Sequence, residues 1–114
     1  MWHCLALDLK ADPVLIEEYE AFHRAVRPEV IDHLRQHGVL GMEIFRLGTR
    51  LVMVMETDDA RFDPQRMAAA QSVNPRVREW EDLMWRFQVA TPWTGDGIKW
   101  MPMKRIFDLR EYPA

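Results

Sequence analysis

The chain has 114 residues, of which 48% are hydrophobic and 29% charged, and 15 Lys and Arg against 18 Asp and Glu leave a net charge of −3; these values describe one globular domain over residues 1–114 with a single modest core. Opposite charges are interspersed, which excludes the clustered basic surface of a nucleic-acid binder. No apolar run approaches the roughly 20 residues needed to cross a bilayer, Met1-Trp2-His3-Cys4 lacks the regions of a secretory leader, and the lone Cys4 excludes a disulfide framework and fits a reducing cytoplasm.

Residues 2–9 alternate loosely and predict a first strand, closed by Lys10-Ala11-Asp12-Pro13. Asp12 is a natural N-cap, and Pro13 fits the first helical position because its missing N–H is not needed there. The helix is predicted to run to about Ala25. Arg27 precedes Pro28, and a residue before proline is pushed out of helical geometry, so a break follows. A second helical piece over 29–36 ends at His37-Gly38, a glycine C-terminal cap. Two β-rich arms, 39–47 and 50–57, flank Gly48-Thr49 and predict a hairpin. Residues 62–70 predict a helix, Asn74-Pro75 caps another over 76–87, and 91–99 with Pro92, Gly95 and Gly97 read as a loop. A final strand is expected over 101–109, with Pro102 near its start, where proline is tolerated. The order strand, helix, strand, strand, helix, strand is that of an α+β, ferredoxin-like βαββαβ sandwich with helices on one face of an antiparallel sheet. The other face is then free for a second copy of the chain or for a ligand.

Tyr19 and His23 stand one helical turn apart and point the same way. Leu15, Ile16, Tyr19, Phe22 and Val26 follow the spacing of a core-facing stripe, so that direction is inward. Histidine suits proton transfer near neutral pH, with an ordinary pKa of about 6.5. On spacing alone, the plainer reading makes the pair amphipathic edge residues with satisfied polar tips. Trp80, Trp85, Trp93 and Trp100 offer aromatic faces that suit the C–H patches of a sugar ring; the alternative is core packing, although Trp80 and Trp85, five apart, cannot share one stripe centre. His33 and His37 have helical metal-ligand spacing, with Cys4 and His3 as further donors, but no second pair at ligand spacing exists, and a solvated helix face is expected there. Glu79, Glu81 and Asp82 among Arg76, Arg78 and Arg86 read as a charged helix exterior, from which one acid could reach a ligand beside Trp80.

Glu18-Tyr19, His23, Pro28-Glu29, His37-Gly38, Glu43-Ile44-Phe45-Arg46 and Trp80 before Met84 together resemble the L-rhamnose mutarotase family. The resemblance runs from the first strand to Ile106-Phe107-Asp108-Leu109. It implies a dimeric α/β barrel with no cofactor and no metal, acting on a monosaccharide through acid/base catalysis. It also implies His23 as proton donor, Tyr19 as catalytic partner and substrate contact, and Trp80 as a wall against the sugar. Three positions depart from the pattern: Arg27 and Glu81 replace tryptophans, and Met42 replaces a sugar-contacting tyrosine. With Trp85-Arg86-Phe87-Gln88, the departures favour L-fucose over L-rhamnose and make Met42, Trp80 and Glu81 the substrate-binding set. A small ferredoxin-like monooxygenase with an apolar pocket, and a non-catalytic ligand-binding module, are the competing readings.

Overall fold

A computed structural model describes residues 1–113. Strand β1 (Trp2–Leu9) is followed by helices α1 (Pro13–His23) and α2 (Pro28–Gln36), a hairpin of β2 (Val39–Leu47) and β3 (Arg50–Thr57), and helices α3 (Pro64–Val73) and α4 (Pro75–Trp85). Two short strands, β4 (Gln88–Val89) and β5 (Met101–Pro102), and a 3₁₀ turn at Leu109–Glu111 complete it. The sheet order is β2-β3-β1-β4, antiparallel throughout, with β5 also on β1. This is the ferredoxin-like order expected from the element sequence. Among the described residues, no helix is long and apolar enough to cross a membrane.

Three of the four helices begin by the same local rule. Asp12, Asp63 and Asn74 each accept hydrogen bonds from two backbone N–H groups of the first turn, and each precedes a proline at the first helical position. The cap satisfies donors that the helix leaves orphaned, and the proline takes a position where a donor is not missed. The fourth, α2, starts at the Arg27-Pro28 break without a side-chain cap.

In β3 burial alternates without fault: Leu51, Met53, Met55 and Thr57 are buried and the residues between them are not. The register pairs Leu5 with Met53 and Leu7 with Leu51 on one side, and Met42 with Met55 and Ile44 with Met53 on the other. Residues paired across antiparallel strands share a face, so these side chains form the floor beneath the helices. Leu9, Tyr19, Val30, Leu51, Trp80, Met84 and Phe87 form the main core. The opposite face carries Phe45, Leu47 and Trp2, all exposed.

Several boundaries differ from expectation. Helix α1 stops at His23 rather than near Ala25, and α3 runs to Val73 rather than Ala70. The long final strand is not formed: pairing covers only Met101–Pro102, extended by the Met103 amide donating to the Cys4 carbonyl at 2.8 Å. The remainder of that edge of β1 is taken by β4, where Leu9 pairs with Gln88 and Asp8 with Val89. Two short segments therefore share one edge. Beyond Met103 the chain leaves the sheet, and Asp108 caps the 3₁₀ turn by accepting from the Arg110 amide at 2.9 Å.

Gly38 ends α2 with φ +86°, and a Cβ there would come within 3.0 Å of the Arg61 Cβ and the Phe62 nitrogen. Gly38→Ala is expected to lower stability by at least about 1–2 kcal/mol, the cost of left-handed backbone for a residue with a Cβ, as read from urea unfolding midpoints at constant slope.

Candidate active site

Helices α1, α2 and α4 do not close completely on the sheet. Between them lies a cavity of about 580 Å³, floored by Met42, Ile44, Met53 and Met55 and walled by Tyr19, His23, Trp80 and Trp100. All five residues expected at the site from sequence, Tyr19, His23, Met42, Trp80 and Glu81, line it.

Tyr19 is 3% exposed and lies on the last full turn of α1. His23, partly exposed, stacks against it with ring centroids 4.4 Å apart, and the Trp80 ring meets His23 edge-on at 5.4 Å. The His23 Nδ1 lies 2.8 Å from the Tyr19 backbone carbonyl oxygen. A carbonyl can only accept, so Nδ1 carries the hydrogen, and in the neutral ring the lone pair resides on Nε2. One contact thus fixes both the tautomer and the orientation of the imidazole. Nε2 is the nitrogen left for a ligand.

The phenol of Tyr19 is held from a different element. Gln88, 3% exposed at the start of β4, donates its Nε2–H to the Tyr19 hydroxyl oxygen at 3.1 Å. With that oxygen accepting, the Tyr19 hydroxyl hydrogen remains free to donate into the cavity. Burial pushes the Tyr19 pKa up to about 12, the Gln88 hydrogen bond opposes the shift, and the Glu81 charge adds to it. Tyr19 is therefore a neutral donor across the physiological range rather than a base. The Gln88 Oε1 is buried with no partner.

Glu81, half-buried, is paired with Lys99, whose ammonium also sits 5.0 Å over the Trp85 ring. The pair gives the cavity a polar wall with no net charge. Trp85 itself is 46% exposed, so of the two helix tryptophans Trp80 faces the cavity. Trp93 is exposed beneath the Arg50 guanidinium and takes no part. Arg27, at a position of departure from the family pattern, lies at the surface with its Nη1 3.2 Å from the Glu79 carboxylate.

Trp100, among the aromatic candidates of the sequence, lines the cavity. Three contributors escaped sequence reading. Gln88 lies in a strand too short to show alternation, and Lys99 lies in the glycine-bearing loop. His33, expected on a solvated helix face, is instead 6% exposed and lines the cavity, with the His37 ring 4.8 Å away. Its flanks at Val30 and Leu34 hold the signal: His33 lies on the same apolar side of α2. Among the described residues, no three His, Cys, Asp or Glu side chains come together as a metal site would require.

Burial, followed by the neighbouring His37 charge, lowers the His33 pKa, with Glu81 acting in the opposite sense. An unfolded histidine titrates near pH 6.5, so the stability that depends on a neutral His33 is complete above about that pH. It is lost as pH falls towards the depressed folded-state value, because over that window only the unfolded chain takes up the proton. The melting temperature is expected to fall on acidification below about pH 6.5, and less steeply in His33→Gln. Equal slopes in differential scanning calorimetry would remove His33 as the cause.

The sequence model of the L-rhamnose mutarotase family matches residues 2–109. The chain is 47% identical over 110 residues to an L-fucose mutarotase of Xanthomonas campestris, covering 95% of this chain and 87% of that protein. A Dictyostelium discoideum protein is 40% identical over 108 residues, covering 91% and 86%. The fold matches the crystal structure of an L-rhamnose mutarotase from Formosa agariphila with a TM-score of 0.70 at 19% identity, over 96% of this chain and 98% of the other. With the family match spanning nearly the whole chain and both sequence relatives covering more than nine-tenths of it, the protein belongs to the L-rhamnose mutarotase family.

Proposed function

We propose that the protein interconverts the α and β anomers of a 6-deoxy-L-sugar, with L-fucose favoured over L-rhamnose, through the open-chain aldehyde. The observation that carries this reading is the His23–Tyr19 arrangement: a base nitrogen of fixed tautomer and a neutral hydroxyl donor, side by side at one cavity. Anomer exchange asks for that pair. His23 Nε2 takes the proton of the anomeric hydroxyl as the bond from the anomeric carbon to the ring oxygen breaks. The ring oxygen takes the hydroxyl hydrogen of Tyr19 as it leaves the anomeric carbon, so that the open-chain sugar lies between a His23 imidazolium and a Tyr19 phenolate. The aldehyde rotates, and the same steps in reverse close the ring on its other face with no net change in protons. Positioned proton transfer contributes typically about 10²–10⁴-fold.

The cavity chemistry supports a 6-deoxy sugar. Trp80 offers a wall for ring C–H groups, Glu81 and Gln88 offer acceptors, and the methionine floor suits a methyl group at carbon 6. The polar groups favour a sugar over the apolar substrate of a monooxygenase, whose pocket needs none of them. The preference for L-fucose is supported by the 47% identity to a protein of that name. Met42 has no hydrogen-bonding group, and Glu81 is an acceptor, so these two positions select the hydroxyl pattern.

Saturation-difference NMR on L-fucose, L-rhamnose and D-sugars measures exchange directly. The expected outcome is acceleration greatest on L-fucose, a loss of about 10²-fold or more in His23→Ala, and a shift towards L-rhamnose in Met42→Tyr/Glu81→Trp. No acceleration on any sugar would sink the reading, and an unimpaired His23→Ala would remove His23 from its role. We further propose a cytoplasmic homodimer, formed across the sheet face that exposes Trp2, Phe45 and Leu47. Light scattering should give twice the chain mass, and Phe45→Glu should give the monomer; a wild-type monomer would rule out the dimer.

A further inference from the structure

A buried polar side chain without a partner is uncommon in folded proteins and calls for a specific explanation. Among the described residues two such atoms occur, Gln88 Oε1 and His33 Nε2, and both residues line the same cavity. Gln88 already has a task, since its amide nitrogen holds the Tyr19 hydroxyl. His33 has none: it touches neither the Tyr19–His23 pair nor the Glu81–Lys99 pair through a hydrogen bond, yet α2 places it inward between Val30 and Leu34. A leucine at that position would fill the space without leaving a nitrogen unsatisfied.

We propose that His33 is a specificity-determining residue whose Nε2 hydrogen-bonds one secondary hydroxyl of the bound sugar. The inference rests on the reading of this cavity as a monosaccharide site. A hydroxyl is donor and acceptor at once, so it satisfies the ring nitrogen in either tautomer, which a carbonyl or a methyl group does not. Burial and His37 favour the uncharged imidazole, and an uncharged ring prefers a neutral hydroxyl to an anion. His33 stands on α2, whereas His23 and Tyr19 stand on α1. It therefore reads the sugar without sharing in the proton transfer, and its removal acts on affinity rather than on the chemical step.

The test measures dissociation constants by ligand titration in NMR for L-fucose and the three analogues that each lack one hydroxyl at carbon 2, 3 or 4. The variants are His33→Phe, which keeps a ring without nitrogens, and His33→Gln, which keeps a polar group. One analogue is expected to bind the wild type about 3- to 10-fold more weakly than L-fucose, the worth of one neutral hydrogen bond. In His33→Phe that difference disappears, because L-fucose binding falls to the level of the analogue, and His33→Gln restores part of it. Exchange rates at saturating L-fucose stay within about twofold in His33→Phe while KM rises. The His33 ring signals of the wild type also shift on sugar addition, a readout that needs no variant to fold. Equal coupling of all analogues to His33→Phe, an unmoved His33 signal, or no sugar binding at all overturns the proposal. If sugar binds with the expected coupling but no exchange is accelerated, the mutarotase reading fails and the assignment of His33 stands.

Discussion

The site depends on a contact between one side chain and the backbone a turn behind it. The imidazole of His23 donates to the carbonyl of Tyr19, and that bond decides which nitrogen is basic and where it points. It requires α1 to persist through His23, since the i, i+4 distance is set by helical geometry. It also requires α1 to lie across the sheet, which the burial of Tyr19 beside Phe87 and Leu9 secures. The helix N-cap at Asp12, the break before Pro28 and the core beneath all bear on the orientation of one ring. A proton-transfer group is useful only when its geometry is held by parts that do not themselves react.

The same economy holds for Tyr19. Its ring is a core residue, its backbone orients His23, and its hydroxyl is held by Gln88 from the far edge of the sheet. Burial alone would leave a phenol of high pKa with an unmet oxygen; the amide meets it and leaves the proton available. The polar wall of Glu81 and Lys99 follows a similar logic, since a lone buried carboxylate would be costly and its pairing keeps an acceptor near the cavity without net charge. The methionine floor is the apolar counterpart. The cavity thus has a polar wall and an apolar floor.

Much of this architecture was legible in the order of residues because it is written locally. Asp12-Pro13 and Asn74-Pro75 announce helix starts, Gly38 and Gly48 announce turns, and two β-rich arms flank Gly48-Thr49, so the ferredoxin-like order follows without three-dimensional information. Tyr19 and His23 were legible for the same reason, being one turn apart on one stripe. The final strand was misjudged because edge pairing is decided by what β1 leaves open. Nothing local in Lys104-Arg105-Ile106-Phe107 says that β4 has already taken part of that edge. His33 was misjudged because paired histidines at i, i+4 read as a polar face, whereas Val30 and Leu34 on the same side carry it inward. Gln88 and Lys99 could not be found by any local pattern, since their meaning lies in what they touch across the chain.

The divided edge of β1 has a consequence for how this protein can change over time. Between β4 and β5 the chain makes an excursion that leaves the sheet at Val89 and returns at Met101, and it brings Lys99 and Trp100 to the cavity on its way back. Neither short strand fixes the length of that excursion, and the β1–β3 pair at the centre of the sheet does not sense it. Residues can be gained or lost there without disturbing the register of a single ladder, while one wall of the cavity moves. Tyr19 and His23, the proposed acid/base pair, sit on α1, anchored elsewhere. Lineages could therefore remodel which sugar is accepted by trimming or lengthening one loop, with the reaction itself left under separate and stricter constraint.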